Sequence, residues 1–144
     1  MVFNPLLRSS DVDIYPIMKK FYTLKVLTHF ASAHTLRGYP GACQRLHGHN
    51  WKVETEIRAS ALNDMGMAVD FKSVRKAANT VGDKLDHYYL NDIPPFTEIN
   101  PTAENIAAWF YQELATLLNT EHVKIHAITL WETESACVRY SEEP

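Results

Sequence analysis

The chain has 144 residues, 46% hydrophobic and 22% charged, with a formal net charge of -3. That length suits one domain, and the composition excludes a disordered or collagen-like chain. The slight acidic balance argues against a nucleic-acid binder, and no apolar run reaches the ~18 residues of a membrane span.

Residues 1–20 are punctuated by Pro5 and Pro16 and read as an irregular N-terminal extension, leaving 21–144 as the single domain. No apolar block followed by a small-residue cleavage site opens the chain, so cytoplasm is the expected compartment. There Cys43 and Cys137 are expected as free thiols.

Phe21 to Ala33 is rich in β-branched and aromatic residues and reads as a strand. Leu36 to Leu46 carries Gly38, Pro40 and Gly41 and reads as a loop. From His49 to Ala59 the alternation is clean, with Trp51, Val53, Thr55, Ile57 and Ala59 on one face and Lys52, Glu54, Glu56 and Arg58 on the other. After a turn at Asn63–Gly66, Asp70 caps a helix whose apolar stripe runs Phe71, Val74, Ala77, Ala78, Val81, Leu85. Thr102 caps a second helix, Glu104 sits in its positive first turn, and Ile106, Phe110, Leu114 and Leu118 lie along its stripe. Val123–Thr133 and Ala136–Tyr140 close the chain as a hairpin of strands.

The order ββααββ gives an α+β domain with an antiparallel sheet and helices on one face. Parity puts Ile125, Ala127, Thr129 and Trp131 on one face of the third strand and Ile128 and Leu130 on the other. A lone subunit would then expose an apolar sheet face, so association between copies is expected. Cys137, in a strand, suits a buried hydrophobe.

Residues two apart on a strand point the same way, so His47 and His49 can aim their imidazoles at one point. If the first two strands pair as a hairpin, His34 returns beside them. Three neutral imidazoles with an open fourth position form the ligand set of a catalytic zinc; an isolated His-x-His pair is also compatible with ordinary polar residues. Cys43, four residues before His47, is open to three readings: a fourth ligand, a base favoured as thiolate by a nearby cation, or a small buried hydrophobe. Asp86-His87 follows the first helix, where an acid can orient a histidine for proton transfer or simply be solvated. Glu132, at the end of an apolar strand, is an exposed strand-end residue or an anchor for a cationic or amide-like group. His29, His122 and His126 have no evident partner and are expected to be structural or exposed.

Six motifs occur in order: Phe30-Ala-Ser-Ala-His34, Cys43-Gln-Arg-Leu-His-Gly-His49, Gly66-Met-Ala-Val-Asp-Phe71, Leu85-Asp-His-Tyr-Tyr-Leu-Asn91, Pro101-Thr-Ala-Glu-Asn105 and Glu132-Thr133. Together they resemble the 6-pyruvoyl-tetrahydropterin synthase superfamily from about Phe21 to Tyr140. The three residues between Cys43 and His47 resemble its bacterial queuosine-pathway branch, the 6-carboxy-tetrahydropterin synthases; the pyruvoyl-forming branch has a longer spacing. The resemblance implies a tunnelling fold (T-fold) whose sheets join into a barrel, often as a hexamer of two stacked trimers. It implies zinc at His34, His47 and His49, a proton-abstracting Cys43, and a relay of Asp86 and His87. It also implies that Glu132 grips a pterin ring and shares in the relay, with Thr133, Thr102 and Glu104 at the substrate. The implied activity is a lyase acting on 7,8-dihydroneopterin triphosphate. The rival readings are the sister pyruvoyl chemistry and a non-catalytic pterin- or metal-binding module.

Overall fold

The structure is a computed structural model that describes residues 19–143, so the expected extension lies outside the described residues apart from Lys19 and Lys20. The elements are β1 (Tyr22–His34), β2 (His47–Ala59), α1 (Phe71–Gly82), α2 (Ala103–Leu118), β3 (Val123–Thr133) and β4 (Ala136–Ser141). They form one antiparallel sheet in the order β1-β2-β3-β4, with both helices on one face. The expected α+β architecture is present.

β1 and β2 pair without a break, from Tyr22 opposite Ala59 to His34 opposite His47. The alternate residues Val26, Thr28, Phe30, Ser32 and His34 of β1 are buried, as are Trp51, Val53, Thr55 and Ile57 of β2. They pack against Val74, Ala78 and Val81 of α1 and Ile106, Phe110 and Leu114 of α2. Phe30 stacks between Trp51 and Phe110, at centroid distances of 6.0 and 5.9 Å. Burying each such side chain contributes about 1.5–3 kcal/mol before entropy is counted.

Both helix starts follow the capping logic. The Asp70 carboxylate accepts the Lys72 N–H at 2.8 Å, and the Thr102 hydroxyl accepts the Asn105 N–H at 3.2 Å. α1 stops at Gly82 instead of running to Leu85. Beyond it the backbone tightens, with Lys84 N–H bonded to the Val81 carbonyl and Leu85 N–H to the Gly82 carbonyl. Leu85 still reaches the core, fully buried.

The face assignment for β3 needs correction. Glu56 pairs with Ala127 but Ile57 pairs with Ile125, which leaves His126 as the extra residue of a bulge. The bulge shifts parity, so Ile125 joins Ile128 and Leu130 in the helix-facing core. The opposite sheet face is therefore not the apolar surface that parity suggested. It carries ion pairs of Lys25 with Glu54 and Glu56 and of Arg139 with Glu56, and Lys52 lies over the Trp131 ring. One group of exposed apolar side chains lies at Phe21, Tyr22, Met67 and Phe71, which line a common cavity; Leu27, Leu46, Tyr88 and Leu117 are exposed elsewhere.

Candidate metal centre

His34 ends β1, and His47 begins β2 directly opposite it. His49, two residues on, shares the helix-facing side with His34 and Trp51. The residue between His47 and His49 is glycine, and a Cβ there would make a tight contact of 3.3 Å with the Ser32 carbonyl oxygen. Ring centroids are 4.5 Å apart for His34–His47, 5.0 Å for His47–His49 and 5.1 Å for His34–His49. Glu132 of β3 completes the group, and one ligand atom from each of the four lies within 4.8 Å of the others.

The hydrogen bonds around the rings assign their tautomers. His34 Nδ1 sits 2.7 Å from the Pro101 carbonyl and His47 Nδ1 sits 2.8 Å from the Arg45 carbonyl. A carbonyl only accepts, so each Nδ1 carries the proton and each Nε2 presents a lone pair. Those two lone pairs face each other at 3.0 Å. Among the described residues His49 Nε2 is buried without a hydrogen-bond partner; it lies 3.1 Å from Glu132 Oε1, in charge contact but without hydrogen-bond directionality. Burial lowers the His34 and His49 pKa values below the ordinary imidazole value, against the opposing pull of the Pro101 carbonyl on His34 and of Glu132 on His49. Both rings are accordingly neutral near pH 7. The facing lone pairs of His34 and His47, with His49 Nε2 and the Glu132 carboxylate beside them, make a group that could hold a cation. The residues present fit a divalent metal of the zinc type.

The cluster excludes Cys43. That residue is half-buried in the turn Ala42–Gln44, and its carbonyl accepts the Leu36 N–H at 3.0 Å. The fourth position near the imidazoles belongs to Glu132. Cys137, expected as a buried hydrophobe, is exposed, and it borders a cavity of about 200 Å³ shared with His34, Thr102, Glu104 and Glu132. Thr133 lies on a second cavity of about 480 Å³ together with His49 and Glu132.

Asp86 and His87 sit on the turn after α1, against the free edge of β1. The His87 N–H donates to the Ala31 carbonyl at 2.6 Å, and the Asp86 carboxylate accepts the Ala31 N–H at 2.8 Å. His87 adopts a left-handed backbone with φ of 61°. This bend turns its ring back so that Nδ1 donates to Asp86 Oδ2 at 2.7 Å. The Ala31 N–H, helped by His87, holds the Asp86 carboxyl below the usual carboxylate range. The His87 ring is exposed, on a cavity of about 460 Å³ that His49 also lines. The pair thus has the geometry of an oriented base, at one side of the imidazole cluster.

Glu132 was singled out in the sequence as an odd acid on an apolar strand, but its place beside the imidazoles appears only in the structure. The carbonyls of Pro101 and Arg45 carry no side-chain signal at all.

The sheet, the helix pair on one face and an imidazole–carboxylate cluster able to hold a metal define the class: an α+β protein of the tunnelling-fold type. The family model of 6-pyruvoyl tetrahydropterin synthase matches residues 23–143, and the chain belongs to that family. It is 34% identical over 116 residues to the 6-carboxy-5,6,7,8-tetrahydropterin synthase of Synechocystis sp., covering 77% of this chain and 86% of that one. It is 31% identical over 115 residues to the protein of the same name from Bacillus subtilis, covering 75% and 77%. The fold matches the Caenorhabditis elegans 6-pyruvoyl tetrahydropterin synthase structure with a TM-score of 0.77 at 23% identity, over 86% of this chain and 97% of that one. Among the described residues, no helix is long and apolar enough to cross a membrane.

Proposed function

We propose that residues 21–144 form a zinc-dependent carbon–carbon lyase that converts 7,8-dihydroneopterin triphosphate to 6-carboxy-5,6,7,8-tetrahydropterin, with release of acetaldehyde and triphosphate, as a cytoplasmic step of queuosine (7-deazaguanine) biosynthesis. The observation that carries this reading is the convergence of His34, His47, His49 and Glu132 on one point. The names of the relatives from Synechocystis sp. and Bacillus subtilis support the choice of product.

His34, His47 and His49 would hold the zinc. When bound, it supplies Lewis acidity toward the oxygens of the substrate side chain. Cys43, free of the cluster, removes a proton from that side chain as thiolate. His87, held by Asp86, moves protons on the other side of the substrate; triphosphate is eliminated, and one water then adds across the side-chain carbon–carbon bond, its oxygen staying in the ring-borne carboxylate as acetaldehyde leaves. Glu132 accepts hydrogen bonds from the pterin ring nitrogens and shares in the relay, with Thr102, Glu104 and Thr133 beside the ring. Edge-to-edge joining of the sheets, as two stacked trimers, is part of the same reading. One turnover experiment tests it. Incubation with the triphosphate substrate should give acetaldehyde and the mass of the carboxy product. Elimination without acetaldehyde would indicate the 6-pyruvoyl product instead, and no triphosphate release would indicate a binding module.

A further inference from the structure

Beyond His34 the backbone leaves the sheet, yet Thr35 and Arg37 are held as if a further strand lay beside them. Asn91 supplies that pairing for Thr35: its Oδ1 accepts the Thr35 N–H at 2.9 Å, and its Nδ2 donates to the Thr35 carbonyl at 3.0 Å. Asn100 does the same for Arg37, with both bonds at 2.9 Å. Between them the Leu36 N–H donates to the Cys43 carbonyl. The Arg37 guanidinium then reaches back to the Phe96 carbonyl at 2.8 Å. Asn105 Nδ2, in the first turn of α2, donates to the Asn100 carbonyl at 2.8 Å. One three-residue stretch therefore fixes His34 before it, the Cys43 turn beside it, and the Pro101 carbonyl that orients the His34 ring.

We propose that Asn91 and Asn100 are positioning residues that hold His34 in its metal-binding orientation by acting as side-chain strand partners for Thr35 and Arg37. The requirement is chemical. A carboxamide offers a donor and an acceptor on one planar group, matching the N–H and C=O of a single residue. An aspartate of the same shape keeps the acceptor but sets a second oxygen against the carbonyl. Partners that orient a ligand from behind typically contribute 10–100-fold to metal affinity.

This inference rests on the metal reading above, and the experiment separates the two. Zinc affinity is measured by competition with a chromophoric chelator, alongside far-UV circular dichroism and the visible spectrum of the cobalt-substituted protein. Asn91→Asp and Asn100→Asp should stay folded, bind zinc roughly 10–100-fold more weakly and change the cobalt spectrum. Val74→Ala, a core truncation on α1, should lower the melting temperature and leave zinc affinity at the wild-type level. Wild-type affinity in the folded asparagine variants, or an equal loss in Val74→Ala, overturns the proposal. If neither aspartate variant folds, Asn105→Ala carries the test by releasing the Asn100 carbonyl: weaker zinc binding supports the proposal, and unchanged binding overturns it. A wild-type protein without zinc affinity would instead remove the metal reading itself.

Discussion

Glu56 and Arg139, on strands separated by β3, meet in a two-pronged ion pair: Arg139 Nε donates to Oε1 at 3.1 Å and Nη2 to Oε2 at 2.9 Å. Lys25 Nζ stands 3.4 Å from the same carboxylate on the other side. Three of the four strands are thus linked across the face that the helices leave open. The two cations explain how a strand glutamate comes to be only 6% exposed.

Replacing Arg139 should destabilise the fold. Hydrogen bonding from Arg139, assisted by its charge and that of Lys25, holds the Glu56 carboxyl below the usual value of 4.5. Because the folded pKa is depressed, the stabilisation is present above pH 4.5 and is lost as pH falls through the folded value. Arg139→Ala leaves a nearly buried carboxylate with one partner, at a cost of about 1–3 kcal/mol. Thermal melts from about pH 7 to about pH 3 should show the variant melting lower at neutral pH and losing less on acidification. Parallel curves would show that the pair contributes nothing to the acid sensitivity.

Glu56 also shows where sequence reading stops. Alternation along β2 put it on the charged face, opposite Trp51 and Val53, which is correct. Alternation says nothing about which side chains arrive from other strands, so the covering of Glu56 by Lys25 and Arg139 was not legible. The bulge at His126 left no mark, since no glycine or proline sits there, and one extra residue was enough to move Ile125 into the core. The imidazole cluster was legible because period two on a strand is strict and His34 pairs directly with His47 once the first two strands form a hairpin. Asn91, Asn100 and Arg37 follow no period. They act through backbone groups, so nothing in their spacing announces them.

The metal centre should bind about one zinc per chain. His47→Ala removes one of the two opposed lone pairs and should abolish both zinc binding and turnover. Chelation should leave most of the fold, because the apolar core packs between the sheet and both helices and only His34 of the four clustered residues is buried. Zinc affinity should weaken as acid protonates His34 and His49, at pH values below the ordinary imidazole range because burial lowers both. Metal analysis and circular dichroism at matched pH check both expectations, and a metal-replete preparation without zinc would contradict them.

Association should follow from the exposed apolar side chains near Phe21 and Phe71 and from the open edge of β4. Light scattering at micromolar concentration should give a mass several times 16.5 kDa, with six copies the favoured count. A monomer would count against a barrel of joined sheets.

Cys43→Ala should keep the zinc of the wild type, since Cys43 stands outside the cluster. Turnover should fall by ~10²–10⁴-fold, the usual worth of a positioned general base. Zinc content measured beside rate separates the roles. If metal and activity vanish together, the cysteine is a ligand after all, and proton abstraction passes to another group such as His87.

Glu132→Gln bears on both halves of the site. Its carboxylate lies 3.1 Å from His49 Nε2 and 3.6 Å from His34 Nε2, close enough to complete a metal's coordination. It also borders the cavity that holds Thr102 and Glu104, where a ring with N–H donors would need an acceptor. Glutamine keeps the size but loses the charge. If the carboxylate serves the pterin, three imidazoles still hold the zinc, and its content should stay near one per chain. Pterin affinity should then fall by about 1.5–3 kcal/mol, the worth of hydrogen bonds to a charged acceptor. This corresponds to roughly ten- to a hundredfold in Kd. Titration of the variant with the carboxy-pterin product, followed by fluorescence and set beside its zinc content, checks both. Loss of zinc together with pterin would make Glu132 a fourth ligand, and the ring would then have to be held by Glu104.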